Sequence, residues 1–263
     1  EQLALFSLIR AECTPDQKVF IVGGAVRDAL LGRPIHDFDF ALADNPFYLA
    51  KRVAKRLKAG FFVLDDVRHT ARVAYYDVHG RFSPLDFVQF TGADLKQDLQ
   101  NRDFTINTIA VSLDDLSRLI DPLKGHDDLI QGILRCASKH ALVDDPIRVL
   151  RAVRLAIQFN LQFAPGLESE LIKAAPCLVN TSNERQRDEF FKILEGVDPA
   201  EGLRYCKRLR IFDSILEPLV AIGPNSTLEE PAFALLDQPI ETVGYFHQIL
   251  ANLCDFPNTH LDK

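Results

Sequence analysis

The sequence predicts an α+β fold in which a small mixed or largely antiparallel sheet with helices occupies the first half and helices alone occupy the rest. Three observations carry this. Short β-rich runs alternate with helical stretches between residue 18 and about residue 120. The runs after residue 60 succeed one another like hairpins, with Asp77-Val78-His79-Gly80 as a turn. Strand patterning is gone after about residue 125. A doubly wound dinucleotide-binding sheet is disfavoured, because Gly23 to Gly32 contains no Gly-x-Gly-x-x-Gly.

Taken in order, the runs 19–22, 38–42, 61–64, 71–78 and 85–90 are β-branched or aromatic and read as strands. Segments 25–31 and 46–58 have helical spacing, and 108–111 reads as a further helical run. Asp145-Pro146 supplies an N-cap acid and a first-turn proline for the next helix. On its wheel Val149, Val153 and Ile157 form one face, and Arg148, Arg151 and Arg154 another. Asn183-Glu184 opens a helix through Phe190, Phe191 and Leu194, which residues 196–199 end. The remainder, broken by Pro218, Gly223-Pro224 and Pro231, is expected to be helical.

With 263 residues, 47% hydrophobic and 25% charged, the chain has the composition of a globular protein with room for two or three compact units. No apolar run approaches membrane-spanning length; even 216–222 is interrupted by Glu217 and Pro218. With no secretory leader before Glu1, the expectation is a cytoplasmic protein, or one imported whole into an organelle. The five cysteines are scattered and lack a Cys-x-x-Cys pair, which argues against a disulfide scaffold or a zinc site. The absence of any Met suggests a fragment or omitted residues. A net charge of −7 confines any polyanion binding to one face, and the basic clusters are Arg135 to Arg154 and Arg204 to Arg210.

Asp37-Phe38-Asp39 is the most informative segment. Alternate residues of a strand share a face, so Phe38 and Phe40 bury one side while Asp37 and Asp39 aim two carboxylates to the other. Their repulsion is relieved by a hard divalent cation. Asp86, in another strand, could complete a three-carboxylate site. Gly23-Gly24, between an apolar run and a helix, can bring bare backbone amides to a phosphate, with Arg27 one turn later as a planar cation. Asn101-Arg102-Asp103-Phe104-Thr105-Ile106-Asn107 has two readings. Either it is a helix start with Asp103 capping and Arg102 solvated, or Arg102 and Asn107 surround phosphates with Asp103 near the sugar. Arg148, Arg151 and Arg154 put positive charge on one face with little acid to balance it, a face suited to phosphate. Asp145 and Arg148 are neighbours able to offer an acceptor and donors to a base edge.

Together these segments resemble the class II tRNA nucleotidyltransferase and bacterial poly(A) polymerase family of the DNA polymerase β superfamily. The resemblance rests on Val22-Gly23-Gly24-Ala25-Val26-Arg27-Asp28 with Asp37-Phe38-Asp39, on residues 102–107, on residues 145–154 and on Glu184-Arg185-Gln186-Arg187-Asp188-Glu189-Phe190. It implies Mg²⁺ on Asp37 and Asp39, and Gly24 and Arg27 against the incoming nucleotide. It also implies Arg102 and Asp103 at the triphosphate and ribose, Asp145 with Arg148 reading ATP or CTP, and Arg151 and Arg154 along the same pocket. The implied layout is a catalytic head over 1–135, a helical neck over 136–200 and a partial helical body over 201–263.

Asn101 stands where the family usually has a second arginine, and Asp144 where it has a glutamate. The implied activity is template-independent addition of C, A or both to an RNA 3′ end, that of tRNA above all, from CTP or ATP. Polyadenylation is an alternative, although 65–72 lacks the Gly-Arg-Arg-Phe stretch of Gram-negative poly(A) polymerases. A non-catalytic RNA-binding module with the same head would be expected to have lost one of the paired acids, and both are present.

Overall fold

The computed structural model describes residues 2–215 and divides into two compact units, Glu1–Ala141 and a second beginning at Leu142. Among the described residues of the first unit, seven strands make one sheet. They are β1 (Val19–Val22), β2 (Phe38–Leu42), β3 (Gly60–Asp65), β4 (Thr70–Ala74), β5 (Leu85–Gln89), β6 (Ala110–Ser112) and β7 (Asp115–Ile120), in the spatial order β3-β4-β5-β2-β1-β6-β7. Only β2 and β5 pair in parallel; every other pairing in this sheet is antiparallel, so the sheet is mixed, as the hairpin-like sequence pattern predicts. The helices are α1 (Gln2–Glu12), α2 (Gly24–Leu30), α3 (Phe47–Leu57), α4 (Leu95–Gln100) and α5 (Gly125–Gln131).

The period-2 pattern decides which way β2 faces. Phe38, Phe40 and Leu42 are buried with Val19, Ile21, Val73, Leu85 and Phe87 against Leu5 and Ile9 of α1 and Leu49 and Val53 of α3. Phe40 stacks on Phe87 at 5.0 Å, and Phe6 meets Phe38 edge-on at 5.2 Å. Each ring contributes about 2–3 kcal/mol by burial, enough to pin the register against a one-residue slip. The opposite face has a smaller core of Val22, Ala41 and Ala110 beneath Leu99 of α4.

The turn expected at residues 77–80 is present. The Asp77 carboxylate accepts from the His79 and Arg81 amides at 2.9 and 2.8 Å, and Gly80 has φ +74°. β4 ends at Ala74, short of the expected residue 78. The expected helical run 108–111 is corrected: a single 3₁₀ turn, Thr105–Asn107, ends where the Thr108 hydroxyl bonds the Thr105 carbonyl at 2.8 Å. The chain then enters β6, which satisfies the second edge of β1 through the pairing of Val22 with Ala110. β7 escapes sequence reading because almost all its residues are exposed and no alternation marks it.

After the short turn α6 (Ala141–Asp144), the second unit contains α7 (Arg148–Gln158), α8 (Leu167–Ala174), α9 (Asn183–Leu194), α10 (Pro199–Arg208) and α11 (Phe212–Ile215). α7 starts at Arg148 rather than at Asp145-Pro146. Those two residues form the preceding turn, and their carbonyls accept from the amides of Arg148 and Val149 at 3.1 and 3.0 Å. α10 is capped by Asp198, which accepts from the Glu201 amide at 2.9 Å, and has Pro199 in its first turn. A Cβ on Gly202 would lie 2.4 Å from the Ile193 side chain, so α10 requires glycine where it crosses α9. Of the helical body expected over 201–263, residues 216–263 lie outside the described residues, and so do the breakers at Pro218, Gly223-Pro224 and Pro231. Among the described residues no helix is long and apolar enough to cross a membrane.

Candidate functional site

In the first unit the strand registers line up one row of side chains on the face away from the aromatic core. Arg72 pairs across to Asp86, Asp86 to Asp39, and Asp39 to Val22. Asp37, immediately before β2, is exposed and Asp39 is half-buried, so with Phe38 and Phe40 in the core the two acids project to this same side. Asp86, the third acid of the sequence reading, lies beside Asp39 across the β2–β5 pair, and its two oxygens accept from Nε and Nη2 of Arg72, both at 2.7 Å. Among the described residues no group of three His, Cys, Asp or Glu could hold a metal ion. Two carboxylates on one face still fit Mg²⁺, which commonly takes one or two protein carboxylates and completes its shell with substrate phosphates and water.

Beside Asp39, β1 ends at Gly23, whose φ of +73° lies in the region glycine favours. A Cβ there would lie 3.2 Å from Oδ2 of Asp39 and 3.1 Å from Nη1 of Arg102. A carboxylate and a guanidinium therefore converge over this bare backbone, and any side chain would push into both. On Gly24 a Cβ would lie 3.3 Å from Nη2 of Arg27. Arg27 itself is buried; it donates from Nη1 to Oδ1 of Asn107 at 2.6 Å and from Nε to Asp28 at 2.9 Å.

Arg102 is an oriented group rather than a solvated one. Asp98, 3% exposed, accepts from Nε and Nη2 of Arg102 at 3.3 and 3.2 Å through Oδ2, while its Oδ1 accepts from the Thr91 amide and hydroxyl, both at 3.0 Å. Asp103 is buried, and its Oδ1 accepts from the Phe104 amide at 2.8 Å and from Nδ2 of Asn107 at 3.0 Å. Asp103, Asn107 and Arg27 thus form one hydrogen-bonded chain beneath the glycine turn. The segment is braced from α5, where the Thr105 hydroxyl donates to Asp128 at 2.7 Å. Gly125 lies so close that a Cβ would sit 1.9 Å from the Thr105 carbonyl oxygen. Sequence reading missed Asp98, Asp128 and Gly125. The i,i+4 spacing of Asp98 and Arg102 was an available signal for the first; the other two act through contacts distant in sequence.

In the second unit, the expectation that the arginines of α7 lack balancing acid is corrected. Nε of Arg154 donates to Oε2 of Glu189 at 2.8 Å, and Lys192 reaches Oε1 at 3.0 Å. Burial pushes the Glu189 carboxyl up, but Arg154 and Lys192 outweigh it and hold it below the ordinary range. Arg154 therefore ties α7 to α9. Asp145 accepts from Nη2 of Arg185 at 2.7 Å, so its carboxylate is held from the same helix α9. Arg148 and Arg151 are half-buried on α7.

Residues 19–135 match a family model described as the poly A polymerase head domain. The chain is 43% identical over 176 residues to a CC-adding tRNA nucleotidyltransferase of Synechocystis, covering 66% of this chain and 41% of that protein. It is 39% identical over 262 residues to a CC-adding tRNA nucleotidyltransferase of Geobacter sulfurreducens, covering 91% of this chain and 59% of that one. The chain thus spans about half the length of the curated relatives it matches. The Thermotoga maritima CCA-adding enzyme complexed with tRNA superposes with a TM-score of 0.77 at 28% identity, covering 99% of this chain and 63% of that structure's chain.

Proposed function

The chain belongs to the tRNA nucleotidyltransferase and poly(A) polymerase family, and from that premise we propose that it extends an RNA 3′ end, that of tRNA, with nucleotides from CTP, ATP or both. The observation that carries the proposal is the convergence of the Asp39 carboxylate and the Arg102 guanidinium over Gly23, beside the second exposed acid, Asp37. A paired anion for metal and a fixed cation for phosphate sit on one bare turn.

In this reading the RNA 3′-hydroxyl oxygen bonds the α-phosphorus of the triphosphate, the bond to the β-phosphate oxygen breaks, and pyrophosphate leaves. Asp37 and Asp39 would hold Mg²⁺, which when bound lowers the hydroxyl's pKa and neutralises charge on the departing oxygens. Arg102, set in place by Asp98, meets the triphosphate. Buried Arg27, Asn107 and Asp103 keep Gly23 and Gly24 in shape for the nucleotide and its ribose. Asp145, oriented by Arg185, and Arg148 read the base edge. Arg151 contributes charge to nucleotide binding, and Arg154, through Glu189, holds the helix that carries all three arginines. The head, neck and partial body assigned to 1–135, 136–200 and 201–263 belong to this proposal, as does a cytoplasmic location. The two CC-adding relatives favour cytidine addition over adenosine addition.

The test is to incubate the purified full-length protein with a tRNA lacking its terminal triplet, Mg²⁺, and labelled CTP or ATP in separate tubes. Two added cytidines with CTP and none with ATP is the expected result. Long adenosine tails would identify a poly(A) polymerase, and no product from any combination would identify a non-catalytic RNA-binding module; either outcome overturns the assignment.

A further inference from the structure

The row of side chains on the catalytic face does not end at the acids. Going away from Gly23, it runs from Asp39 on β2 to Asp86 on β5 and Arg72 on β4. Neighbouring strands are about 4.8 Å apart, so the Arg72 backbone lies about 10 Å from that of Asp39, within the span of a few nucleotide bonds. Asp86 grips Nε and Nη2 of Arg72, and among the described residues Nη1 has no acceptor. The arginine side chain is 36% exposed and Asp86 16%, so the acid is the sheltered anchor and the cation the reachable end. Asp86 above all, and then Asp37 and Asp39, hold the guanidinium's proton more tightly. As a plain surface ion pair it would contribute little to stability, which gives no reason for its place in line with the acids.

Resting on the proposed function, we infer that Arg72 binds the last phosphodiester of the RNA being extended, with Asp86 as its positioning residue. The argument is one of sides. In an in-line displacement the attacking hydroxyl and the departing pyrophosphate lie on opposite sides of the phosphorus. Gly23 and Arg102 flank Asp39 on one side and take the triphosphate. The other flank, where the primer must approach, presents Arg72, whose planar fork suits a phosphate.

The test uses the full-length protein and its Arg72→Met variant, which keeps the side-chain stem, with Arg72→Lys as a charge-retaining control. For Arg72→Met the primer KM rises about tenfold, consistent with loss of one partly exposed charge-assisted hydrogen bond. The KM for CTP and kcat stay within about twofold, and the slope of log affinity against log salt falls by about one. Arg72→Lys recovers part of the loss. A primer whose last phosphodiester is an uncharged methylphosphonate costs the wild type about tenfold and Arg72→Met almost nothing further. Anisotropy of a labelled primer without nucleotide gives the same ranking of affinities and needs no turnover. An unchanged primer affinity, an effect on CTP instead, or an equal methylphosphonate penalty in both proteins would overturn the inference. Absence of transfer by the wild type, with the anisotropy ranking intact, would overturn the parent reading alone.

Discussion

Asp98→Asn isolates the group that aims Arg102. In the wild type one carboxylate oxygen takes two donors from Thr91 at 3.0 Å and the other takes two from Arg102 at 3.2 and 3.3 Å, with the acid's side chain only 5% exposed. Asparagine has nearly the same shape but one acceptor fewer. If its oxygen stays with Thr91, its amide donors face the guanidinium donors, and a half-buried cation loses the Asp98 charge. Hydrogen bonds to charged groups are worth about 1.5–3 kcal/mol each. The Arg102 contacts are long and its side chain is 20% exposed, so a total of about 2 kcal/mol is reasonable. For a unit of this size that lowers Tm by about 4–8 °C. Loss of the fixed orientation should also raise the KM for CTP about tenfold while leaving primer affinity unchanged. Thermal unfolding and steady-state kinetics on the same preparation measure both. A variant with the expected Tm loss but an unaltered CTP KM would show that Asp98 is structural only and that Arg102 does not meet the triphosphate.

Gly125→Ala places a methyl group 1.9 Å from the Thr105 carbonyl oxygen, backbone against backbone, and should destabilise the first unit by more than about 3 kcal/mol in urea unfolding. Glu189→Gln should destabilise by about 1–2 kcal/mol at neutral pH, because it removes the charge shared by Arg154 and Lys192. The native carboxyl titrates below its unfolded value of about 4.3, so its contribution is complete above that pH and disappears as pH falls through the lower native value. The gap between wild type and Glu189→Gln in chemical denaturation should therefore hold steady above about pH 5 and close as the pH falls below the unfolded carboxyl value and through the lower native one.

What was legible beforehand followed physical reach. Phe38, Asp39 and Phe40 declare their faces because a strand's period is local, and the glycine pair with Arg27 lies within one turn of it. The four motifs mark the residues that carry charge or conformational demand. The partners of those charges were not legible: Arg72 claims Asp86 from fourteen positions away, Glu189 balances Arg154 across thirty-five, and Asn107 meets Arg27 across eighty. Strand β7 was missed for the opposite reason, since an exposed edge strand carries almost no apolar signal. The start of α7 was displaced by two residues because Asp145-Pro146 works as a turn before the helix instead of as its cap.

Manganese binding followed by electron paramagnetic resonance, with CTP present, tests the paired acids directly. Wild type should bind the ion in a CTP-dependent manner, and Asp39→Asn, folded by circular dichroism, should lose that binding together with nucleotide transfer. Equal manganese affinity in the two folded proteins would contradict the assignment of Asp37 and Asp39 as the metal-holding pair.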